Sequence, residues 1–252
     1  FSFAFSQALE MRILPQLSMN GIYWVFIGCF LATIPFLKWI KSYPKTRAVE
    51  ERSDTNNSNA RYALFLPWVC LFAIFLTYIN IGAYWTYIEL AALDSNTNPN
   101  LVSEVLVWAS LCSLLGCLFA TLLSNRFGLL RPLLMALFTM AMGVGMLAFG
   151  INEPRFLMSV FTFSLLWVFT DVYQMGSLAN FDNGGHYAAY LPAAQGLGQI
   201  VGPNLAASLL GLSIGYQGVF IMCWCAAMMA MLIYWILYRY LRKQHPSIAD
   251  AS

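Results

Sequence analysis

Seven apolar runs, at 21–41, 61–88, 102–124, 130–150, 156–178, 187–211 and 216–240, decide what this chain can become. A helix needs about 20 apolar residues to cross a hydrocarbon core of about 30 Å. None of the runs alternates in the manner of a barrel strand, and in lipid every backbone polar group must be satisfied within its own segment. The runs are therefore predicted as membrane-spanning helices. Apolar residues make up 60% of the chain and charged residues 10%, against about 25% charged in a soluble domain. Residues 1–20, with Glu10, Arg12 and Pro15, are too mixed for a further span. The expected fold class is all-α, a polytopic transmembrane helix bundle.

One long polar connection interrupts the series. Residues 42–60 read SYPKTRAVEERSDTNNSNA, a charged, Asn- and Ser-rich linker. The other connections are short, as expected when antiparallel helices pack into one bundle. Placing the linker in the cytoplasm puts Lys38, Lys41, Lys45, Arg47, Arg52, Arg61, Arg126, Arg131, Arg239, Arg242 and Lys243 on that side, out of 13 basic residues in all. Arg12 and Arg155 remain opposite, and the outer loop LDSNTNPN has none. The positive-inside rule selects this orientation. The expected organisation is the end of one bundle over 1–41 (last helix 21–41), a cytoplasmic linker over 42–60, a six-helix bundle over 61–243, and a cytoplasmic tail over 244–252.

Several function classes drop out. No basic stripe for nucleic acid is present. The six cysteines (Cys29, Cys70, Cys112, Cys117, Cys223, Cys225) lie in apolar runs without accompanying His, so inert buried thiols are expected in place of disulfides or zinc. No nucleophile elbow, Walker loop or HExxH string occurs, and the glycines at 196–202 do not follow a strand. Neither a cofactor nor a metal is expected, and catalysis is disfavoured.

Polar groups inside the spans carry the functional reading. A carboxylate at the bilayer centre costs about 2.5–3.5 kcal/mol on insertion scales, so a retained one faces protein or water. Phe163, Trp167, Asp171 and Gln174 recur at spacings of 4, 4 and 3 in the fifth span, a helical stripe able to hold a polar organic solute. Helix packing or capping at the interface are the structural alternatives for Asp171. In the second span Asn80, Tyr84 and Tyr87 share a face, with Trp85 and Glu89 beside them; an interfacial aromatic belt competes with a site there. The sixth span holds Gln195 and Gln199 on one face and Gly196, Gly198 and Gly202 on a side open to close helix approach. Pro192 and Pro203 are expected to bend it. His186 is expected to be solvated or to cap.

The loop TLLSNRFGLLRP, residues 121–132, resembles the cytoplasmic loop of the major facilitator superfamily, Gly-x-x-x-Asp-Arg-x-Gly-x-x-Arg/Lys, in its second copy. Arg126, Gly128 and Arg131 match; Asn125 stands at the acidic position and Thr121 at the first glycine. The string Gly198-x-x-x-Gly202-Pro203-x-x-Ala206-Ala207 is similar to a degenerate form of the family's helix-five antiporter motif, shifted to helix eleven. The resemblance implies that the seven spans are family helices six to twelve: a major-facilitator-type C-terminal bundle plus one preceding helix. Helices seven and ten, the second and fifth spans here, line the central cavity in that family.

The reading that follows is a secondary active transporter of a small organic solute working by alternating access, symport or antiport, with the proton as a candidate coupling ion. Asn80, Tyr84, Trp85, Phe163, Trp167, Asp171, Gln174, Gln195 and Gln199 are the expected solute-facing residues. Asn125, Arg126, Gly128, Arg131, Gly198, Gly202 and Pro203 are the expected conformational elements. Its partners would be the lipid bilayer and the rest of an N-terminal bundle, of which this chain carries one helix. A multi-pass location in a bacterial inner membrane is expected. A seven-helix receptor and a membrane-embedded enzyme or scaffold are the rivals.

Overall fold

The computed structural model describes residues 24, 27, 28, 31, 57–182 and 186–244, leaving out the side chains of 57–64, 124–127 and 243–244. The chain divides into two units, Phe1–Thr55 and Asn56–Ser252. In the first, Trp24, Ile27, Gly28 and Leu31 are helical; the rest of the expected span 21–41 and nearly all of the 42–60 linker lie outside the described residues. The second unit contains α1 (Asn57–Asp94), α2 (Pro99–Phe127), α3 (Leu130–Gly145, extended by a 3-10 turn to Phe149), α4 (Glu153–Phe181), α5 (Leu191–Gly211) and α6 (Gly215–Gln244).

Short polar signals set the helix ends. Past Asp94, Asn96 adopts φ 58° and the Thr97 amide donates to the Ala92 carbonyl at 3.1 Å, which closes the helix in a Schellman arrangement. Two residues on, Asn98 Oδ1 accepts from the Asn100 amide at 3.0 Å with Pro99 in the first turn, starting α2. Asn152 repeats the device for α4, accepting from the Arg155 amide at 3.0 Å. Ser213, with φ 59°, closes α5 as Ile214 donates to Leu209 at 3.2 Å.

Among the described residues five stretches, Phe65–Asp94, Pro99–Leu123, Leu130–Phe149, Glu153–Phe181 and Gly215–Arg242, are long and apolar enough to cross a membrane. Helix α5 spans 21 residues, a length of about 30 Å at 1.5 Å per residue, but its Gln, Asn, Gly and Pro content makes it less apolar. It begins later than the expected 187. Asp182 accepts from the His186 and Ala188 amides at 3.1 and 2.8 Å, a 3-10 turn follows at Ala188–Tyr190, and Pro192 falls in the first turn of α5. A proline there removes no intrahelical bond, so Pro192 starts the helix; Pro203 alone lies inside it.

Helix α1 is the hub: α5 and α6 pack along it and α4 crosses it, while α3 sits between α4 and α6 and α2 lies against α4. Glycines make two of these crossings possible. A Cβ on Gly202 would collide with the Ile79 carbonyl, and one on Gly198 would sit 2.6 Å from the Phe75 carbonyl and from the Tyr78 Cβ. From the other side, Gly82 faces the Gln199 backbone, 2.9 Å from a would-be Cβ. Gly116 on α2 likewise abuts the Leu165 carbonyl of α4. The backbones touch where side chains would otherwise separate them.

Between α2 and α3, Gly128 has φ 70° and ψ 176°, a region essentially closed to residues with a Cβ. Gly128→Ala is expected to lower stability by about 1–3 kcal/mol, read as a fall in the thermal midpoint of the detergent-solubilised protein. An unchanged midpoint would show that this turn relaxes freely.

Candidate functional site

The helix crossing of α1, α4 and α5 brings one carboxylate to a half-buried position. Asp171 Oδ1 accepts from the Tyr78 hydroxyl of α1 and from the Gln195 amide nitrogen of α5, both at 2.8 Å. One oxygen thus ties three helices together, and neither bond uses Oδ2. Four residues earlier on α4, half-buried Trp167 lies beside Trp85 of α1, ring centroids 5.9 Å apart. The result is a patch with an anionic centre, neutral hydrogen-bond donors and indole faces. Charge-assisted hydrogen bonds to the carboxylate hold it more firmly than neutral ones would, and the indoles suit stacking on a planar or cationic group.

The residues expected on one wall separate onto two. Tyr84 is buried, its ring stacked on Phe163 at 3.8 Å and its hydroxyl 3.0 Å from Ser159 Oγ. Phe163 is buried with it. Gln174 is also buried, its amide nitrogen donating to Thr77 Oγ1 at 2.8 Å while Oε1 has no partner. Asn80 is fully buried, and neither its Oδ1 nor its Nδ2 has a hydrogen-bond partner. These four belong to the interior of the bundle, a correction to the expected single stripe. At about 100° per residue, the spacing 4, 4, 3 swings forward through Trp167 to Asp171 and then back to Gln174. On α1, Asn80 and Tyr84 stand well over about 100° around the helix from Tyr78.

Gln195 joins Asp171, whereas Gln199 is exposed, one turn on, with its backbone against Gly82. Gly198 and Gly202 are buried at the α1–α5 crossing, and the Pro203 carbonyl accepts from the Tyr87 hydroxyl at 3.4 Å. In the loop motif, Asn125 and Arg126 end α2, and their side chains lie outside those described. Arg131 Nε donates to the Tyr238 hydroxyl of α6 at 2.9 Å.

Tyr78 escaped the sequence reading, which followed Asn80, Tyr84 and Tyr87 around the helix. The spacing Tyr78–Gly82–Trp85 was its signal: two large aromatics flanking a glycine on one face, at 4 and 3 residues, marks where a second backbone comes close.

None of the curated proteins matches this chain. The family model described as Major Facilitator Superfamily matches residues 70–251, from the first third of α1 through the C-terminal tail. That match sets aside the receptor alternative. A chain whose described residues are helical, with five stretches among them apolar enough to span a bilayer, and matched over most of its length by one family, is an integral multi-pass membrane protein, and it belongs to the major facilitator superfamily of membrane transporters.

Proposed function

We propose that this chain forms the C-terminal bundle, with one preceding helix, of a twelve-helix secondary transporter that carries a small organic solute by alternating access. The observation that carries the reading is the Asp171 carboxylate, kept within a membrane span by neutral donors from two other helices and flanked by two tryptophans. An ionisable group at that depth is retained where it meets water or a substrate. The patch is half-buried, which suits a wall shared with a second bundle across an aqueous path.

A single acid among indoles and amides favours a neutral or cationic organic solute. The same carboxylate is the group on which proton coupling would act, since protonation removes the charge that the Tyr78 and Gln195 donors stabilise. Basic residues at both ends of the 42–60 linker and at the end of α6 support a cytoplasmic linker and C-terminus by the positive-inside rule.

The aqueous path is tested by thiol accessibility in the intact transporter with its native cysteines replaced by Ser. Trp167→Cys is expected to react with a charged, membrane-impermeant methanethiosulfonate. Phe138→Cys, on the outer face of α3 and 48% exposed, is expected to stay unreactive in lipid. If both cysteines are inert under turnover conditions, Asp171 borders no water path and the carrier site lies elsewhere.

A further inference from the structure

We propose that the recess between the start of α3 and the end of α6 binds the phosphate of an anionic phospholipid headgroup. This inference does not depend on which solute is carried.

The recess holds about 670 Å³ and is lined by Leu134, Trp235, Tyr238, Arg239 and Arg242. Both lining arginines are exposed. The Arg239 guanidinium lies over the Trp235 ring, 4.2 Å from its centroid, which fixes that cation at the wall. A third cation borders the recess, because Arg131 Nε donates to the Tyr238 hydroxyl. No Asp or Glu occurs anywhere in α3 or α6, so the two helices that frame the recess add no negative charge to it.

The surface beneath it is apolar. On α3 the exposed stripe continues from Arg131 through Met135 (72% exposed) and Phe138; on α6 it runs back from Arg239 through Ile236 and Leu232. Both stripes end in arginine at the same end of the bundle. Cations above, a tryptophan between and exposed alkyl groups below match a lipid in three parts: phosphate, glycerol region and acyl chains. A free phosphate would use only the first. That continuity is the reason for committing to a lipid.

The test uses the intact protein in phosphatidylcholine nanodiscs containing either brominated phosphatidylglycerol or brominated phosphatidylcholine, with tryptophan quenching as the readout. Trp235→Phe isolates the share of the signal that comes from the recess. The expected result is stronger quenching of that share by the anionic lipid. Each arginine near a membrane surface is worth about fivefold in anionic-lipid preference, so R239A/R242A should lower the preference roughly 30-fold. R239K/R242K should recover part of it, since lysine keeps the charge but loses the planar fork and the stacking.

Three results would overturn the proposal. Equal quenching of the Trp235 share by the two lipids would remove lipid selectivity. Full retention by the lysine variant would reduce the recess to diffuse surface charge. Loss of the preference in millimolar inorganic phosphate would make it a site for a free anion.

Discussion

Asp171→Asn is expected to cut solute uptake roughly 10- to 100-fold while leaving the bundle folded. The carboxamide is nearly isosteric, and its Oδ1 can still accept from Tyr78 and Gln195, which hold the native carboxylate at 2.8 Å. What disappears is the charge. Hydrogen bonds to a charged group are worth about 1.5–3 kcal/mol against about 0.5–1.5 for neutral pairs. A cationic solute or a proton that used the carboxylate loses its counter-charge as well. The experiment is uptake into proteoliposomes carrying the intact transporter, first screened with labelled neutral and cationic organic solutes under a proton gradient. The solute that the wild-type protein accumulates is then offered to the variant, with a thermal midpoint recorded alongside. Wild-type uptake, together with an unchanged dependence on external pH, would strip Asp171 of both roles. A collapsed midpoint would instead make it a structural tie between three helices.

The other large effect belongs to the glycines of the α1–α5 crossing. Gly202→Leu is expected to destabilise the protein by about 3 kcal/mol or more, the upper end of what overpacking costs. The new Cβ alone would collide with the Ile79 carbonyl and come within 3.1 Å of the Ala83 nitrogen, and these are backbone atoms that cannot rotate away. Gly196→Leu is the matched control, on the same helix, where a Cβ meets nothing within 4 Å; a change inside about 0.5 kcal/mol is expected there. Thermal unfolding of the two solubilised variants, followed by size-exclusion chromatography, separates the cases. Equal midpoints would mean that α5 does not depend on backbone contact with α1.

The helices were largely legible because lipid leaves so few alternatives: a long uncharged run has one economical backbone solution. Their ends were less legible. Hydropathy marks where hydrocarbon stops, whereas α1 continues through Glu89 to Asp94 until Asn96 reverses the chain. At α5 the start was hidden by Asp182, whose carboxylate organises the turn ahead of Pro192 through amides up to six residues away. Within the site, Asp171, Trp167, Trp85 and Gln195 were readable as polar or amphipathic exceptions in apolar runs. Tyr84 and Phe163 looked the same from spacing alone, but ring stacking between α1 and α4 takes them inside. Periodicity places a residue on an arc of the helix; which neighbour occupies that arc depends on where α5 and α6 dock.

The crossing of α1 and α5 also bears on how force would pass through the molecule. Gly198 and Gly202 set bare backbone against the carbonyls of Phe75 and Ile79, so at those two points α5 contributes no side chain to the seam. The Gln195–Asp171 bond, less than one helical turn before Gly198, and the Tyr87–Pro203 bond, one residue past Gly202, brace the two ends of that stretch. A pull on α5 is therefore shared between side-chain hydrogen bonds to α4 and α1 and bare backbone contact with α1.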